Sequence, residues 1–316
     1  MKKSTILKAA AAATAVSAGA SYAIFNEVMN RKALIYPKVS SSASKKMTQT
    51  TIKEDDPRLV WLENQELQKF EMINDKNYRL KGYLIPSEEP SDVYVFCSHG
   101  YRSTGKGEFK LMAKFYHDLG FNVFWVDHQS HGESDGKYIG FGFYESKDCL
   151  LWLNWLIEKF GKDIQIILEG VSMGSATVMM MSGNPNLPKN VKFTVADCGY
   201  TTCQAQFEHC MKNLLHLPKY PILPFADFFN KVINGYNFID SNPIESVSNA
   251  QVPILFIHGG SDDFVPTYMA HQLYAACTTD KDLLIVDGAA HAESYKRDSA
   301  AYEAKVKEFV DKYITK

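Results

Sequence analysis

Charge imbalance is missing from this sequence: 34 lysines and arginines nearly cancel 36 aspartates and glutamates, leaving a formal net charge of −2. Without a basic excess the chain gives no support for nucleic-acid binding. Cysteine pairing is missing too. The six cysteines (Cys97, Cys149, Cys198, Cys203, Cys210 and Cys277) are scattered with no C-x-x-C among them, which points to free thiols rather than a disulfide framework. Metal-ligand spacing is also absent. Cys198, Cys203, His209, Cys210 and His216 crowd one stretch but fit no zinc pattern, and Cys203/Cys210 and His209/His216 stand seven apart, as on single helix faces. Gly105-Lys106-Gly107 follows Ser103-Thr104 without the Gly-x-x-x-x-Gly-Lys-Ser/Thr spacing of a phosphate loop and reads as a turn. There is no internal repeat, and no cofactor or metal is called for.

What is present is apolar material in quantity: 46% of the 316 residues are hydrophobic and 13% aromatic. That suits one large α/β domain with an insertion, or two small domains. Strand patterns at 78–85, 92–98, 121–126, 164–168, 191–196, 252–257 and 283–286 alternate with helical patterns at 109–119, 143–160, 175–181, 267–276 and 302–313. Such alternation predicts a mostly parallel sheet covered by helices on both faces.

The N-terminus is basic (Lys2, Lys3, Lys8) and then uncharged from Ala9 to Asn26, a span rich in Ala, Ser and Gly. As a helix it would measure about 27 Å, close to the apolar thickness of a bilayer. A membrane anchor over residues 1–30 is the leading expectation. A signal peptide cut after Ala18-Gly19-Ala20 and a helix that stays in water are the alternatives. Residues 31–50, with their serine run, read as a tether, and the catalytic domain spans 51–316.

Gly170-Val171-Ser172-Met173-Gly174 sits between an apolar strand and a helix. That is the setting of a nucleophile elbow, which lifts a serine hydroxyl above the sheet edge. The Met173 N–H then opens the following helix, where it can stabilise an oxyanion. A serine needs a base, and the base an orienting acid. Strand 252–257 runs into a loop carrying Asp262, and strand 283–286 into one carrying His291. The order Ser172, Asp262, His291 is that of an α/β-hydrolase. Asp262 is preferred to Asp263 as the acid. The strand before His99-Gly100-Tyr101 places the Tyr101 N–H where it can join Met173 in an oxyanion hole, with His99 holding the loop rather than acting as base.

From about residue 70 to 315 the chain resembles the α/β-hydrolase superfamily, in particular a bacterial branch of serine hydrolases with an N-terminal apolar segment, esterases or serine-aminopeptidase-like proteins. The resemblance rests on His99-Gly100-Tyr101, the Ser172 pentapeptide and His258-Gly259-x-x-Asp262-x-x-Val265-Pro266. Gly288-Ala289-x-His291 and His131-Gly132-Glu133-Ser134 complete it. Where relatives often carry an Arg-Gly pair, this chain has Gln129-Ser130.

The sequence is therefore read as an α/β-hydrolase fold with a helical cap inserted at about 200–249. The activity expected is cleavage of small-molecule esters of small to medium apolar acyl groups. An aminopeptidase or amidase of the same fold, or a non-catalytic membrane-tethered binding protein, is the alternative. The insertion is too long for a plain loop. Phe207, Met211, Leu214, Leu215 and Leu217, then Phe228, Phe229 and Val232, are expected partly to line the pocket.

Overall fold

The computed structural model describes residues 2–33 and 51–315. Most of the expected tether, from residue 34 to 50, lies outside the described residues. Eight strands form one sheet: β1 (Gln68–Ile73), β2 (Arg79–Ile85), β3 (Val93–Ser98), β4 (Asn122–Asp127), β5 (Gln165–Val171), β6 (Val191–Asp197), β7 (Ile254–Gly259) and β8 (Lys281–Val286). Their spatial order is β1-β2-β4-β3-β5-β6-β7-β8. β1 and β2 pair antiparallel to their neighbours, and every strand from β4 to β8 is parallel.

Side chains leave alternate faces of a strand, and both faces here are apolar. In β3, Val95 and Cys97 join a core with Trp125, Tyr302 and Phe309, whereas Tyr94 and Phe96 face Trp152, Leu156 and Phe124 on the other side. Central strands buried on both faces explain why these segments read as continuous apolar runs. β1 escaped that reading because it is a solvent-exposed edge with no buried residue, in which polar and apolar residues are equally frequent. The single helix expected at 109–119 is two short helices, Gly105–Phe109 and Ala113–Asp118.

Six helices matter for the site: α1 (Lys2–Met29), α2 (Phe143–Phe160), α3 (Met173–Ser182), α4 (Cys203–Asn213), α5 (Ile222–Asn234) and α6 (Ser299–Tyr313). Among the described residues no helix is long and apolar enough to cross a membrane. This corrects the transmembrane expectation for α1, whose 28 residues supply length but not apolarity, being rich in Ala, Ser and Gly. The C-terminal part of α1 packs on the protein instead. Phe25 and Met29 are buried with Leu223 and Ala226 of α5 and with Phe238, and Tyr22 meets Phe229 edge-on at 5.2 Å. In α5, Phe228 and Val232, members of the apolar set of which a part was expected to line the pocket, face solvent at 58% and 66% exposure.

Glu169 lies mid-strand in β5, wholly buried, and accepts hydrogen bonds from the phenols of Tyr116 and Tyr302, the latter at 2.8 Å. Burial pushes its carboxyl up to about 8, against the pull of those two hydroxyls. The native state thus keeps a proton that the unfolded chain releases in the ordinary carboxylate range. Stability is highest at acid pH on this account and falls as pH rises toward 8. Asp148 and Asp197, both raised to about 7 chiefly by burial, act with the same sign. We expect Glu169→Gln to remove its share. The stability of the wild type minus that of the variant should decline by on the order of 3 kcal/mol between pH 5 and pH 8. Urea unfolding across that range measures it, and a constant difference would mean that Glu169 is ionised in the fold.

Candidate active site

Ser172 sits at the break between β5 and α3 with φ 57° and ψ −116°. A non-glycine residue rarely holds positive φ, so the turn is strained and must be fixed by its surroundings. The two flanking glycines show how. A Cβ on Gly174 would lie 1.8 Å from the Ser98 carbonyl oxygen, and one on Gly170 would lie 2.4 Å from the Gly174 carbonyl oxygen. The glycines are a packing requirement: the first turn of α3 rests directly on the end of β3. The Ser172 N–H is tied to the Asp197 carbonyl at 2.9 Å, which locks the turn against β6.

His291 arrives on the loop after β8. Its Nε2 lies 2.9 Å from Ser172 Oγ and its Nδ1 lies 2.7 Å from Asp262 Oδ2. The carboxylate fixes the tautomer, with Nδ1–H donating to Asp262 and Nε2 left to accept from the serine hydroxyl. Asp262 is itself over-determined. Its Oδ1 accepts the N–H groups of Phe264 and Val265, both at 2.9 Å, which closes a tight turn after β7. Its Oδ2 also stands 3.3 Å from His258 Nε2. Burial would raise this carboxyl, but His291 and His258 outweigh it and hold Asp262 far below the ordinary carboxylate range. For His291, burial favours the neutral ring, yet the Asp262 charge and hydrogen bond prevail and raise its pKa. Asp263, the neighbouring candidate, is exposed, and its carbonyl contacts His209.

The loop after β3 stands over the serine. The Cβ position of Gly100 is 3.3 Å from Ser172 Cβ, and Tyr101, Ser172 and Met173 line one cavity. His99 is buried beneath them. Its Nδ1 reaches the Gly100 carbonyl at 2.7 Å and its Nε2 accepts the His128 N–H at 3.1 Å, so both ring nitrogens are spent on the loop. His131 completes the support by accepting the Arg102 N–H at 3.0 Å. In the Gln129-Ser130 departure, Ser130 still closes its loop through Asp135 and Tyr138, while the buried Gln129 Oε1 finds no partner among the described residues.

Residues that sequence reasoning missed also stand here. Asp197 ends β6 behind the site and accepts a hydrogen bond from Ser294 at 3.1 Å. Its place at the carboxyl end of a parallel strand was the available signal. Val28 of α1 lines the serine cavity, a role that no pattern in the N-terminal segment announced. All six cysteines are free and buried. Among the described residues, one group with metal-ligating atoms is close-set, Cys198 with Asp262 and His291, and both nitrogens of that histidine are already engaged by Asp262 and Ser172.

Ser172 opens onto a cavity that Val28, Met173 and Val265 help to line. Among the described residues that line it, none is charged, and Tyr101, Phe141, Tyr200, Phe207 and Phe264 give it an aromatic wall.

The fold is that of the α/β-hydrolases. An esterase from Pyrococcus furiosus superposes with a TM-score of 0.65 at 23% identity, over 84% of this chain and 97% of its own. An acylaminoacyl peptidase from Pyrococcus horikoshii does so with a TM-score of 0.61 at 17% identity, over 83% of this chain and 44% of its own. The uncharacterized protein YqkD of Bacillus subtilis (strain 168) is 32% identical over 249 residues, which cover 79% of this chain and 81% of YqkD. The sequence profile of the prolyl oligopeptidase family matches residues 108–316, the stretch that carries the Ser172 turn and the loops of Asp262 and His291, and the chain belongs to that family.

Proposed function

We propose that this chain is a serine hydrolase that cleaves carboxylic esters of small to medium apolar acyl groups. The observation that carries the reading is the placement of His291, within hydrogen-bond reach of both Ser172 and Asp262. Ser172 Oγ attacks the ester carbonyl carbon while its proton passes to His291 Nε2. The N–H groups of Tyr101 and Met173 stabilise the resulting oxyanion. One such donor is typically worth about 10²–10³ in rate. Collapse breaks the bond to the alcohol, which leaves with the proton from His291. Water then attacks the acyl-serine with His291 again as base, the bond from the acyl carbon to Ser172 Oγ breaks as His291 returns the proton to Oγ, and the acid departs. Asp262 stays ionised throughout, and no step requires a cofactor.

A peptidase or amidase is the second reading, favoured by the family match and by the acylaminoacyl peptidase likeness. Against an aminopeptidase stands the chemistry of the pocket. A substrate's α-ammonium group needs a carboxylate or a cluster of acceptors, and the described lining of the serine cavity offers no charged side chain.

Labelling by a fluorophosphonate probe, lost in Ser172→Ala, tests the nucleophile. Ser172→Ala and His291→Ala should each lower kcat for p-nitrophenyl esters by about 10⁴ or more, because such groups act as a unit. Retention of turnover within tenfold of wild type would remove that residue from the mechanism. Asp262→Asn should cost on the order of 10³–10⁴ by leaving His291 in the wrong tautomer, and Asp263→Asn should cost far less. The reverse ranking would shift the acid by one residue.

The pH dependence follows from the sign of the His291 shift. The base works as the neutral ring, so kcat/KM should rise with pH, with its midpoint above the ordinary histidine value. Asp262→Asn, which removes the carboxylate that raises it, should move that midpoint toward acid. A midpoint unmoved by this substitution would assign the acid limb to another group.

A further inference from the structure

A second, apolar cavity adjoins the one at Ser172. The two share three wall residues, Val28 of α1 with Phe207 and Cys210 of α4. Beyond them the second cavity is closed on one side by α1, through Ile24, Phe25 and Met29, and on the other by the insertion, through residues such as Leu215 and Ile222. Cys210 apart, every described residue lining it is aliphatic, aromatic or methionine. A cavity of this kind has nothing to offer a polar ligand and is suited to a hydrocarbon chain.

The α1 wall is built into the site. The Arg102 guanidinium donates to the carbonyls of Glu27 at 3.0 Å and Asn30 at 2.8 Å, at the C-terminal end of α1. There it meets the negative end of the helix dipole. Its Nε donates to the Tyr101 hydroxyl at 2.7 Å, and that hydroxyl donates in turn to the Val28 carbonyl at 2.5 Å. Arg31 reaches the carbonyls of Ser134 and Gly132 at 2.6 and 2.9 Å, and the Ile139 N–H bonds the Met29 carbonyl at 2.8 Å. The end of α1 is therefore held by the oxyanion loop and by the loop after β4.

We propose that α1 is one wall of an acyl-binding site, in which an unbranched acyl chain carried on Ser172 passes Val28 and Phe207 and lies in the second cavity against Ile24, Phe25 and Met29. This rests on the reading that Ser172 forms an acyl-enzyme, and it names the substrate class as esters of medium-chain, unbranched fatty acids. Each methylene that finds apolar wall should raise kcat/KM roughly fourfold until the second cavity is full.

The test is kcat/KM along p-nitrophenyl acetate, butyrate, octanoate and decanoate, for the wild type and for two variants that fill the second cavity from opposite walls. Ile24→Trp does so from α1, and Ile222→Trp from the insertion. Both residues are half-buried, so either substitution has room to be accommodated. The octanoate-to-acetate ratio should be at least tenfold in the wild type and should fall at least tenfold in each variant. A ratio changed less than twofold in both folded variants, with ester hydrolysis intact, overturns the acyl site and leaves the serine hydrolase reading standing. If instead Ser172 takes no fluorophosphonate and no ester is cleaved, the hydrolase reading has failed. The cavity is then judged by binding of a fluorescent dodecanoate to the Ser172→Ala protein. Binding that Ile24→Trp weakens at least tenfold supports the site, and absence of binding overturns it.

Discussion

The contact between Gly174 and the Ser98 carbonyl is the constraint on which the site depends. With a Cβ position 1.8 Å from that oxygen, the start of α3 and the end of β3 are as close as two main chains can pack. Adjacent strands β3 and β5 thereby deliver their C-terminal loops to one point. One brings Ser172 and the Met173 N–H, and the other brings Gly100 and Tyr101. The strain at Ser172 persists because the chain on both sides of it is immobilised by strand pairing and by this contact. Nothing about the serine itself would hold it there.

The buried carboxyls separate into two groups by what surrounds them. Glu145, Asp148, Glu169 and Asp197 have pKa values raised by burial despite hydrogen bonds to main-chain N–H groups, an amide or hydroxyls. Asp262 is as well buried and goes the opposite way. The difference is two imidazoles on one oxygen and two main-chain N–H groups on the other. Without an imidazole in direct contact the balance stays with burial, even at Asp197, which feels His258 and His291 from further off. Two rings placed directly on the carboxylate tip it toward the charged form. The fold thus raises several buried acids and holds one far below the ordinary carboxylate range beside His291.

Much of this was legible in the sequence because the relevant signals are local. β-branched runs mark strands buried on both faces, and Gly-x-Ser-x-Gly marks a close approach of main chains. The loops that carry Asp262 and His291 follow directly from strand ends. What escaped depends on packing between distant segments. β1 is an exposed edge whose apolar alternation is confined to Phe70 and Met72. Glu169 falls just beyond the strand pattern at 164–168, and its burial depends on Tyr116 and Tyr302, from helices on either side of it in sequence. The N-terminal segment misled most. Its composition is equally that of a weak membrane span and of a small-residue helix that packs closely, and only Phe25 and Met29 in the core distinguish the two.

Tyr101 links two parts of the molecule through different atoms. Its main chain belongs to the loop over Ser172, and its hydroxyl holds the Val28 carbonyl at the end of α1. Any ligand that draws that main chain toward the serine pulls on the same side chain that seats the helix. Linkage makes the effect reciprocal: a ligand that binds more tightly when α1 is seated stabilises the seated α1 by the same free energy. Proteolytic nicking of the N-terminal segment is then a readout of occupancy at Ser172, a site to which α1 contributes Val28 but no polar side chain.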